Sequence, residues 1–201
     1  MTKTPPHSLK RDKHLGAFVR RHGPIVHRRA HARNTFQSLA ESIVYQQLSG
    51  KAAATIVKRF VALFPGKKFP APDDVLKINI KKLRSAGLSA QKASSIKDLA
   101  TKCKDGTIEP KKFKGMSDAQ IIEHVVRVKG IGEWTAQMFL MFTLGRPDVL
   151  PTGDLGIQKA IQKLFTLRTK PSPEKMQRLA QSWAGHRTLA CFYLWRLLDE
   201  G

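Results

Sequence analysis

Apolar residues recur at every third or fourth position along most of the chain. Leu39 and Ile43 are four residues apart, and Ala53, Ile56 and Phe60 continue with spacings of three and four. This is the period of one face of an α-helix. A regular alternation of apolar and polar residues, which is typical of a half-buried strand, is not evident. The pattern therefore predicts an all-α fold.

Glycines and prolines divide the helical pattern into about eight to ten short helices. Two of these helices have clear start signals. Ser117 and Asp118 precede the run AQIIEHVVRV, and the triplet Ser172, Pro173 and Glu174 precedes KMQRLAQSWA. A capping serine, a proline in the first helical position and an acid in the first turn all favour a helix start. We predict helices that begin at both places.

The net charge adds a partner to this picture. The 201 residues include 36 Lys and Arg against 15 Asp and Glu, which gives a formal net charge of +21. Such an excess creates a field suited to a polyanion. Nucleic acid is favoured over an anionic membrane surface, because no long basic stretch carries Trp or Phe along an opposite apolar face. The lysine-rich stretches at 67–82 and 97–113 belong either to this field or to an ordinary solvated face.

The N-terminal segment, residues 1–12, is polar and basic and contains Pro5 and Pro6. Its composition predicts a flexible basic arm, which is either a disordered tail or a contact to DNA phosphates. The segment has no apolar core of signal-peptide length, and the longest apolar run, residues 138–142, is too short to cross a bilayer. We therefore expect an intracellular protein that does not enter a membrane.

The two cysteines, Cys103 and Cys191, lie far apart in the sequence. They cannot form a disulfide framework or a four-cysteine zinc or iron–sulfur site. A reducing compartment fits this cysteine usage.

The segment IIEHVVRVKGIGEWTAQMFLMFTLG, residues 121–145, carries the first candidate site. We predict a helix that ends at Val128, a hairpin, and a second helix that begins at Glu133. The four hairpin residues are Lys129, Gly130, Ile131 and Gly132. Two glycines let the backbone approach a phosphate closely, and the following helix N-terminus contributes outward N–H donors. The alternative is an ordinary helical hairpin with glycine turns.

The segment LGRPDVLPTGDLGIQKAIQKLF, residues 144–165, holds the second candidate site. This loop is rich in glycine and proline, and it ends at Asp154, where another helix begins. The sequence thus predicts one carboxylate that is held rigidly close to the hairpin. The alternative function for Asp154 is a helix N-cap, which stabilises a helix and is chemically silent.

Together these motifs resemble the helix-hairpin-helix, Gly/Pro-loop, aspartate superfamily of DNA glycosylases, and specifically the DNA-3-methyladenine glycosylase II type. The resemblance extends to IVYQQLSGKAA at 43–53, LRSAGLSAQKASSIKDLA at 83–100 and WAGHRTLACFYLWRLLD at 183–199. It implies two helical lobes with an active-site cleft between them. We expect a middle lobe of residues 36–147 that contains the helix-hairpin-helix, and a second lobe of residues 13–35 and 148–201 that carries Asp154.

The resemblance implies a chemistry as well. Asp154 would be the catalytic carboxylate in hydrolysis of the N-glycosidic bond of a flipped-out alkylated base, such as 3-methyladenine or 7-methylguanine, in damaged duplex DNA. Cleavage builds positive charge on the sugar, which a fixed anion stabilises. Members that also cut the strand place a lysine where this chain has Trp134, so we expect a monofunctional enzyme. We also expect a monomer, no cofactor and no metal.

Further site residues follow from the resemblance. Gln47 is expected to fill the gap that the flipped base leaves in the duplex, although Gln46 beside it fits the pattern too. The residues expected in the base pocket are Trp195, Met138, Tyr45 and Trp134. From the residues alone, both Trp134 and Trp195 could instead be ordinary core tryptophans.

Two other functions stay open at this point. Met138, Tyr45 and the segment Gly185-His186-Arg187 depart from what relatives carry there, so a glycosylase for etheno, deaminated or oxidised bases is an alternative. A non-catalytic helix-hairpin-helix protein would only bind DNA, with Asp154 serving as a cap. The chain is also expected to be the compact form, without the β-rich N-terminal domain of some relatives.

Overall fold

The computed structural model describes residues 2–3, 5–26 and 34–200. These residues form twelve α-helices and one antiparallel pair of two-residue strands, β1 (Thr2–Lys3) and β2 (Ile25–Val26). The predicted all-α class is confirmed. In the described part of the chain, every helix is too short or too polar to span a bilayer.

Contacts between Cα atoms divide the chain into two units. We call residues 30–139 the middle unit, and residues 1–29 together with 140–201 the terminal unit. The lobe boundaries predicted at 35/36 and 147/148 therefore differ from the observed 29/30 and 139/140. The second boundary was predicted at a glycine- and proline-rich loop. It falls earlier because the residues from Leu140 onward contact the terminal unit.

The middle unit is organised around one long helix. Its α-helices are α3 (Thr35–Tyr45), α4 (Gly50–Ala62), α5 (Pro72–Lys77), α6 (Ile80–Arg84), α7 (Ala90–Lys104), α8 (Asp118–Val125) and α9 (Glu133–Met138), with a 3₁₀ helix at Pro110–Gly115. α7 packs against α3, α5 and α6. Ala93, Ile96 and Leu99 of α7 are fully buried, and their spacing of three residues gives the helix an apolar stripe.

The terminal unit joins the two ends of the chain. Its α-helices are α1 (His7–Arg11), α2 (Gly16–His22), α10 (Leu155–Leu164), α11 (Pro173–Leu179) and α12 (Arg187–Asp199), with a 3₁₀ helix at Ala180–Trp183. A π-helical stretch, Phe139–Leu144, follows α9. α12 packs against α10 and α2, and it buries Cys191, Tyr193 and Leu194 completely. Ser117 and Ser172 cap α8 and α11, as predicted.

The N-terminal segment differs from the prediction of a flexible arm. Residues 7–11 form α1, and Leu9 in this helix has no exposed surface. The Asp12 carboxylate accepts hydrogen bonds from the Leu15 N–H at 2.7 Å and from the Ser182 hydroxyl at 2.7 Å. A single apolar residue and one acid thus attach the segment to the unit. Such a sparse anchor leaves little trace in a composition that is otherwise polar and basic.

Candidate functional site

Asp154 is the residue before α10, and it is 9% exposed. Its Oδ1 accepts a hydrogen bond from the Ile157 N–H at 2.8 Å, so Asp154 is the helix N-cap. The same oxygen accepts a hydrogen bond from the indole Nε1 of Trp195 at 3.0 Å. Hydrogen bonds to an ionised acceptor are among the stronger ones in proteins. Two of them hold this carboxylate in one orientation, as stabilisation of a developing positive charge requires.

Gly156 makes the pairing of Asp154 with Trp195 possible. A Cβ at this position would lie 3.1 Å from Asp154 Oδ1 and 3.1 Å from both Cδ1 and Nε1 of Trp195. Glycine is a poor helix residue, costing roughly 1 kcal/mol relative to alanine. Its presence in the first turn of α10 is explained by this close approach. The sequence analysis overlooked Gly156, for which the signal is an unfavourable residue directly after the candidate aspartate.

The loop that leads to Asp154 is attached to the N-terminal end of α12 through Thr188. The Thr188 hydroxyl accepts a hydrogen bond from the Val149 N–H at 3.0 Å and donates one to the Arg146 carbonyl at 2.7 Å. Arg187 pairs with Asp148 of the same loop at 3.0 Å. Since α12 also carries Trp195, one helix positions both the loop before Asp154 and the indole that contacts its carboxylate.

Cys191 of α12 is fully buried near this carboxylate. Burial, and then the negative charge of Asp154, raise the pKa of the Cys191 thiol. The thiol therefore remains neutral at physiological pH, and it adds no second negative charge beside Asp154.

Three aromatic rings form a cluster beside Asp154. The Trp195 ring stacks on Phe142 with centroids 5.9 Å apart and on Phe192 with centroids 5.9 Å apart. Phe142 and Phe192 also contact each other, at 5.6 Å. Phe142 is 37% exposed, so this cluster presents an aromatic surface as well as a packed interior. Aromatic faces attract cations, including alkylated bases that carry a positive charge.

The glycine hairpin lies in the middle unit between α8 and α9. α8 ends at Val125, not at Val128 as predicted, because the N–H groups of Arg127 and Val128 turn to carbonyls three residues earlier and tighten the last turn. Ile131 is 4% exposed, as expected for the apolar residue between two glycines. A Cβ at Gly132 would meet no atom within 4 Å, so the backbone there is open to an approaching group.

Not all N–H groups of the hairpin point outward, as the sequence analysis had suggested. The Lys129 N–H donates to Asp98 Oδ2 at 2.7 Å, and the Ile131 N–H donates to the Val128 carbonyl at 3.0 Å. Both donors are used within the unit. The hairpin is therefore partly anchored by its own backbone.

The two glutamines that follow α3 have different roles in the structure. The side-chain amide of Gln46 donates to the Gly130 carbonyl at 2.9 Å and to the Thr135 hydroxyl at 3.3 Å. Gln47 is exposed and has a positive φ of 55°, which is uncommon for a residue with a side chain. The structure thus connects Gln46 to the hairpin and presents Gln47 to solvent.

Residues 40–186 match the family of HhH-GPD superfamily base excision DNA repair proteins. This chain belongs to that superfamily. It is 33% identical over 162 residues to DNA-3-methyladenine glycosylase 1 of Schizosaccharomyces pombe, covering 80% of this chain and 71% of the relative. It is 32% identical to the putative DNA-3-methyladenine glycosylase YfjP of Bacillus subtilis, over 83% of this chain and 60% of the relative.

A solved structure extends the likeness to the fold. The S. pombe 3-methyladenine DNA glycosylase Mag1, in complex with abasic DNA, has a TM-score of 0.83 and 30% sequence identity. The match covers 94% of this chain and 93% of that one. The resemblance stated from the sequence motifs is thus confirmed at the level of superfamily and fold.

The remaining residues predicted for the superfamily's base pocket belong to the middle unit. Tyr45 is 42% exposed and Trp134 is 45% exposed, while Met138 is partly buried. A core role for Trp134 is therefore wrong. The structure pairs only Trp195 of this predicted pocket directly with Asp154. The pocket roles of Tyr45, Trp134 and Met138 stay predictions.

The aromatic cluster contains two residues that the sequence analysis did not select. Phe192 and Trp195 are three residues apart in α12, a spacing that indicates a shared helix face. Phe142 had no comparable signal, because the π-helical stretch interrupts the α-helical phase after Met138. Short π-helical insertions are rare and occur frequently at functional sites.

Proposed function

We propose that this member of the HhH-GPD superfamily is a monofunctional DNA glycosylase. It hydrolyses the N-glycosidic bond of flipped-out alkylated bases, such as 3-methyladenine and 7-methylguanine, in duplex DNA and so initiates base excision repair. The observation that carries this proposal is the buried Asp154 carboxylate, whose Oδ1 receives both the Ile157 N–H and the Trp195 indole N–H. The DNA-3-methyladenine glycosylases named above support the choice of reaction and substrate class.

The chemistry assigned to Asp154 is electrostatic. As the bond between C1′ and the base breaks, positive charge develops on the sugar, and a fixed carboxylate stabilises that charge. Asp154 also orients the water that attacks C1′. A base alkylated on a ring nitrogen is cationic and leaves readily, so the reaction needs no cofactor. The faces of Trp195 and Phe142 offer such a base a favourable aromatic contact.

The absence of a lysine at position 134 supports a monofunctional reaction. A glycosylase that also cuts the strand uses an amine to form a Schiff base with the sugar, and the Trp134 indole cannot do this. The products would be a free base and an abasic site in an intact strand.

DNA binding is assigned to the middle unit. Lys129 is exposed, the backbone at Gly132 is open, and Gln47 projects from the end of α3. We assign the hairpin residues Lys129, Gly130, Ile131 and Gly132 to the phosphate backbone, and Gln47 to the gap left by the flipped base. With a net charge of +21, binding should weaken steeply with salt, since each neutralised phosphate contributes about 0.9 to the slope of log K against log salt. We further propose that the protein acts as a monomer in the compartment that holds the DNA.

The test is release of free base from methylated duplex DNA by the wild type and by Asp154→Asn, with strand integrity measured on the same samples. Asparagine is an equally good N-cap, and its amide oxygen can still accept from Ile157 and Trp195, so the fold should be preserved. We expect the wild type to release 3-methyladenine and leave strands intact, and Asp154→Asn to release very little. Full activity in the variant, or strand cleavage by the wild type, would contradict the proposal.

A further inference from the structure

α7 contributes three side chains to the two loops that the proposed function places on DNA. Lys92, Ser95 and Asp98 follow one another at three-residue intervals, which puts them along one side of the helix over about 9 Å. Lys92 reaches the end of α3 beside Gln47, Ser95 lies against Gly130, and Asp98 holds Lys129. Each of these contacts lies within the middle unit.

Lys92 binds main-chain carbonyls rather than a carboxylate. Its Nζ donates to the carbonyl of Val44 at 2.8 Å and to that of Gln46 at 2.8 Å. These carbonyls are at the C-terminal end of α3, where a cation is favoured by the unpaired acceptors and the helix dipole. Burial lowers the pKa of the Lys92 ammonium, which shows that the group has left bulk water to make these contacts. The contact restrains the backbone on both sides of Tyr45 and directly before Gln47.

Ser95 and Asp98 restrain the hairpin in a similar way. Gly130 has a φ of 78°, and a Cβ there would lie 2.5 Å from Ser95 Oγ, so the hairpin backbone lies directly on α7. Asp98 accepts the Lys129 N–H through Oδ2 at 2.7 Å and pairs with Lys102 through Oδ1 at 2.6 Å. Gln46 completes the connection by donating to the Gly130 carbonyl.

We propose that α7 sets the spacing between the Gln47 loop and the hairpin, with Lys92 and Asp98 as positioning residues for base extrusion. This inference rests on the proposed function. A hairpin attached to the phosphate backbone gives a wedge residue a fixed point to push from only if the two loops are rigidly connected. Lys92 and Asp98 touch neither the base nor the sugar in this assignment, and they act through the loops that they hold.

Lys97 supplies a matched control. It lies on the same helix, its Nζ donates to the Leu76 carbonyl at the end of α5 at 2.7 Å, and burial lowers its pKa in the same direction as that of Lys92. Its contact is with neither loop. Lys97→Met therefore removes an equivalent bond from a lysine to a carbonyl, while it leaves the Gln47 loop and the hairpin as they are.

The experiment compares single-turnover base release from two duplexes by the wild type, Lys92→Met, Lys92→Arg and Lys97→Met. In one duplex the alkylated base faces its normal partner, and in the other it faces an abasic position, where extrusion requires little unpairing. We expect Lys92→Met to slow release from the paired duplex by on the order of 10-fold to 100-fold, and release from the unpaired duplex by much less. Lys92→Arg should restore most of the loss, and Lys97→Met should treat both duplexes alike.

Hydrogen exchange provides a second measurement that does not depend on activity. Lys92→Met and Asp98→Asn should each raise exchange in both segments, residues 46–48 and 129–132, whereas Lys97→Met should not. An equal loss on both duplexes for Lys92→Met, or exchange changes confined to the loop next to the substitution, would overturn the positioning role. A wild type that releases no base from either duplex would instead overturn the proposed function, and the exchange data would still decide whether α7 couples the loops.

Discussion

The two units of this protein build their candidate sites in opposite ways. In the terminal unit the important group is a buried carboxylate, Asp154, held by an indole and a helix N-terminus. In the middle unit the important groups are exposed, namely Gln47 and the hairpin, and the buried polar contacts lie behind them on α7. A charge that must stabilise a reaction gains from exclusion of water, whereas loops that meet DNA must be exposed and can be made rigid only from behind.

This comparison predicts that variants of the terminal unit lose rate, and that variants of the middle unit lose productive DNA engagement. Gly156→Val should have the largest effect after substitution of Asp154 itself. The new side chain would collide with Asp154 Oδ1 and the Trp195 ring. Single-turnover base release should fall by on the order of 100-fold, because small displacements of reacting groups are that costly. Duplex affinity should change little, and Gly153→Val, where a Cβ meets no atom within 4 Å, serves as the control.

Trp195→Phe sharpens the comparison by separating the hydrogen bond from the aromatic surface. Phenylalanine keeps a ring beside Phe142 and Phe192, while the donor to Asp154 is lost. A hydrogen bond to a charged group contributes about 1.5–3 kcal/mol, so the rate should fall by roughly 10-fold to 100-fold. Phe192→Leu keeps the donor and should be milder. If both variants had the same rate, the indole N–H would have no role in orienting the carboxylate.

Thr188→Val tests whether the loop before Asp154 is held as rigidly as the geometry indicates. The substitution is close in shape but leaves the Val149 N–H and the Arg146 carbonyl without the hydroxyl that links them. A lost buried hydrogen bond costs about 1–3 kcal/mol, and the free energy of unfolding should fall by that amount. Chemical denaturation measures this change. A variant as stable as the wild type would mean that the loop is held by its prolines and packing alone.

The superfamily, the all-α class and the role of Asp154 as a cap could be predicted from local patterns, because each depends on residues close together in the sequence. Other features depend on tertiary contacts that such patterns do not encode. Lys97 belongs to a lysine-rich stretch that could have been no more than a solvated face, yet its ammonium binds the Leu76 carbonyl. Phe142 lies after a π-helical turn that the α-helical period could not anticipate. Gly156 is explained only by an indole 39 positions further along the chain.

Asp98→Asn should have the smallest effect, and it is expected in the middle unit. Burial alone would raise the pKa of Asp98, but hydrogen bonds from Lys102 and the Lys129 N–H, with the charges of both lysines, lower it. A carboxyl whose pKa is lowered on folding stabilises the protein above its unfolded pKa, and this contribution is lost as pH falls through the folded value. The wild type should therefore be more stable than Asp98→Asn at neutral pH. The difference should begin to shrink as pH falls to the ordinary value of 3.8 and vanish below the lowered pKa.

Thermal unfolding of both proteins across pH measures this dependence. A gap that stayed constant into strongly acidic solution would show that the Asp98 charge does not stabilise the hairpin. In titrations with duplex DNA at neutral pH, the same variant should bind a few-fold more weakly than the wild type, since the hairpin loses an anchor without losing a phosphate contact.

The most direct measurement of the division between chemistry and DNA engagement is made on Asp154→Asn alone. Its dissociation constant for an alkylated duplex and its single-turnover rate of base release would be determined in the same buffer as those of the wild type. A rate lower by at least on the order of 100-fold, with a dissociation constant within about threefold of the wild type, is the predicted result, because the lost group stabilises a charge that exists only during bond cleavage. An unchanged rate, or a loss of rate explained by weaker binding, would contradict the assignment of the chemistry to this carboxylate.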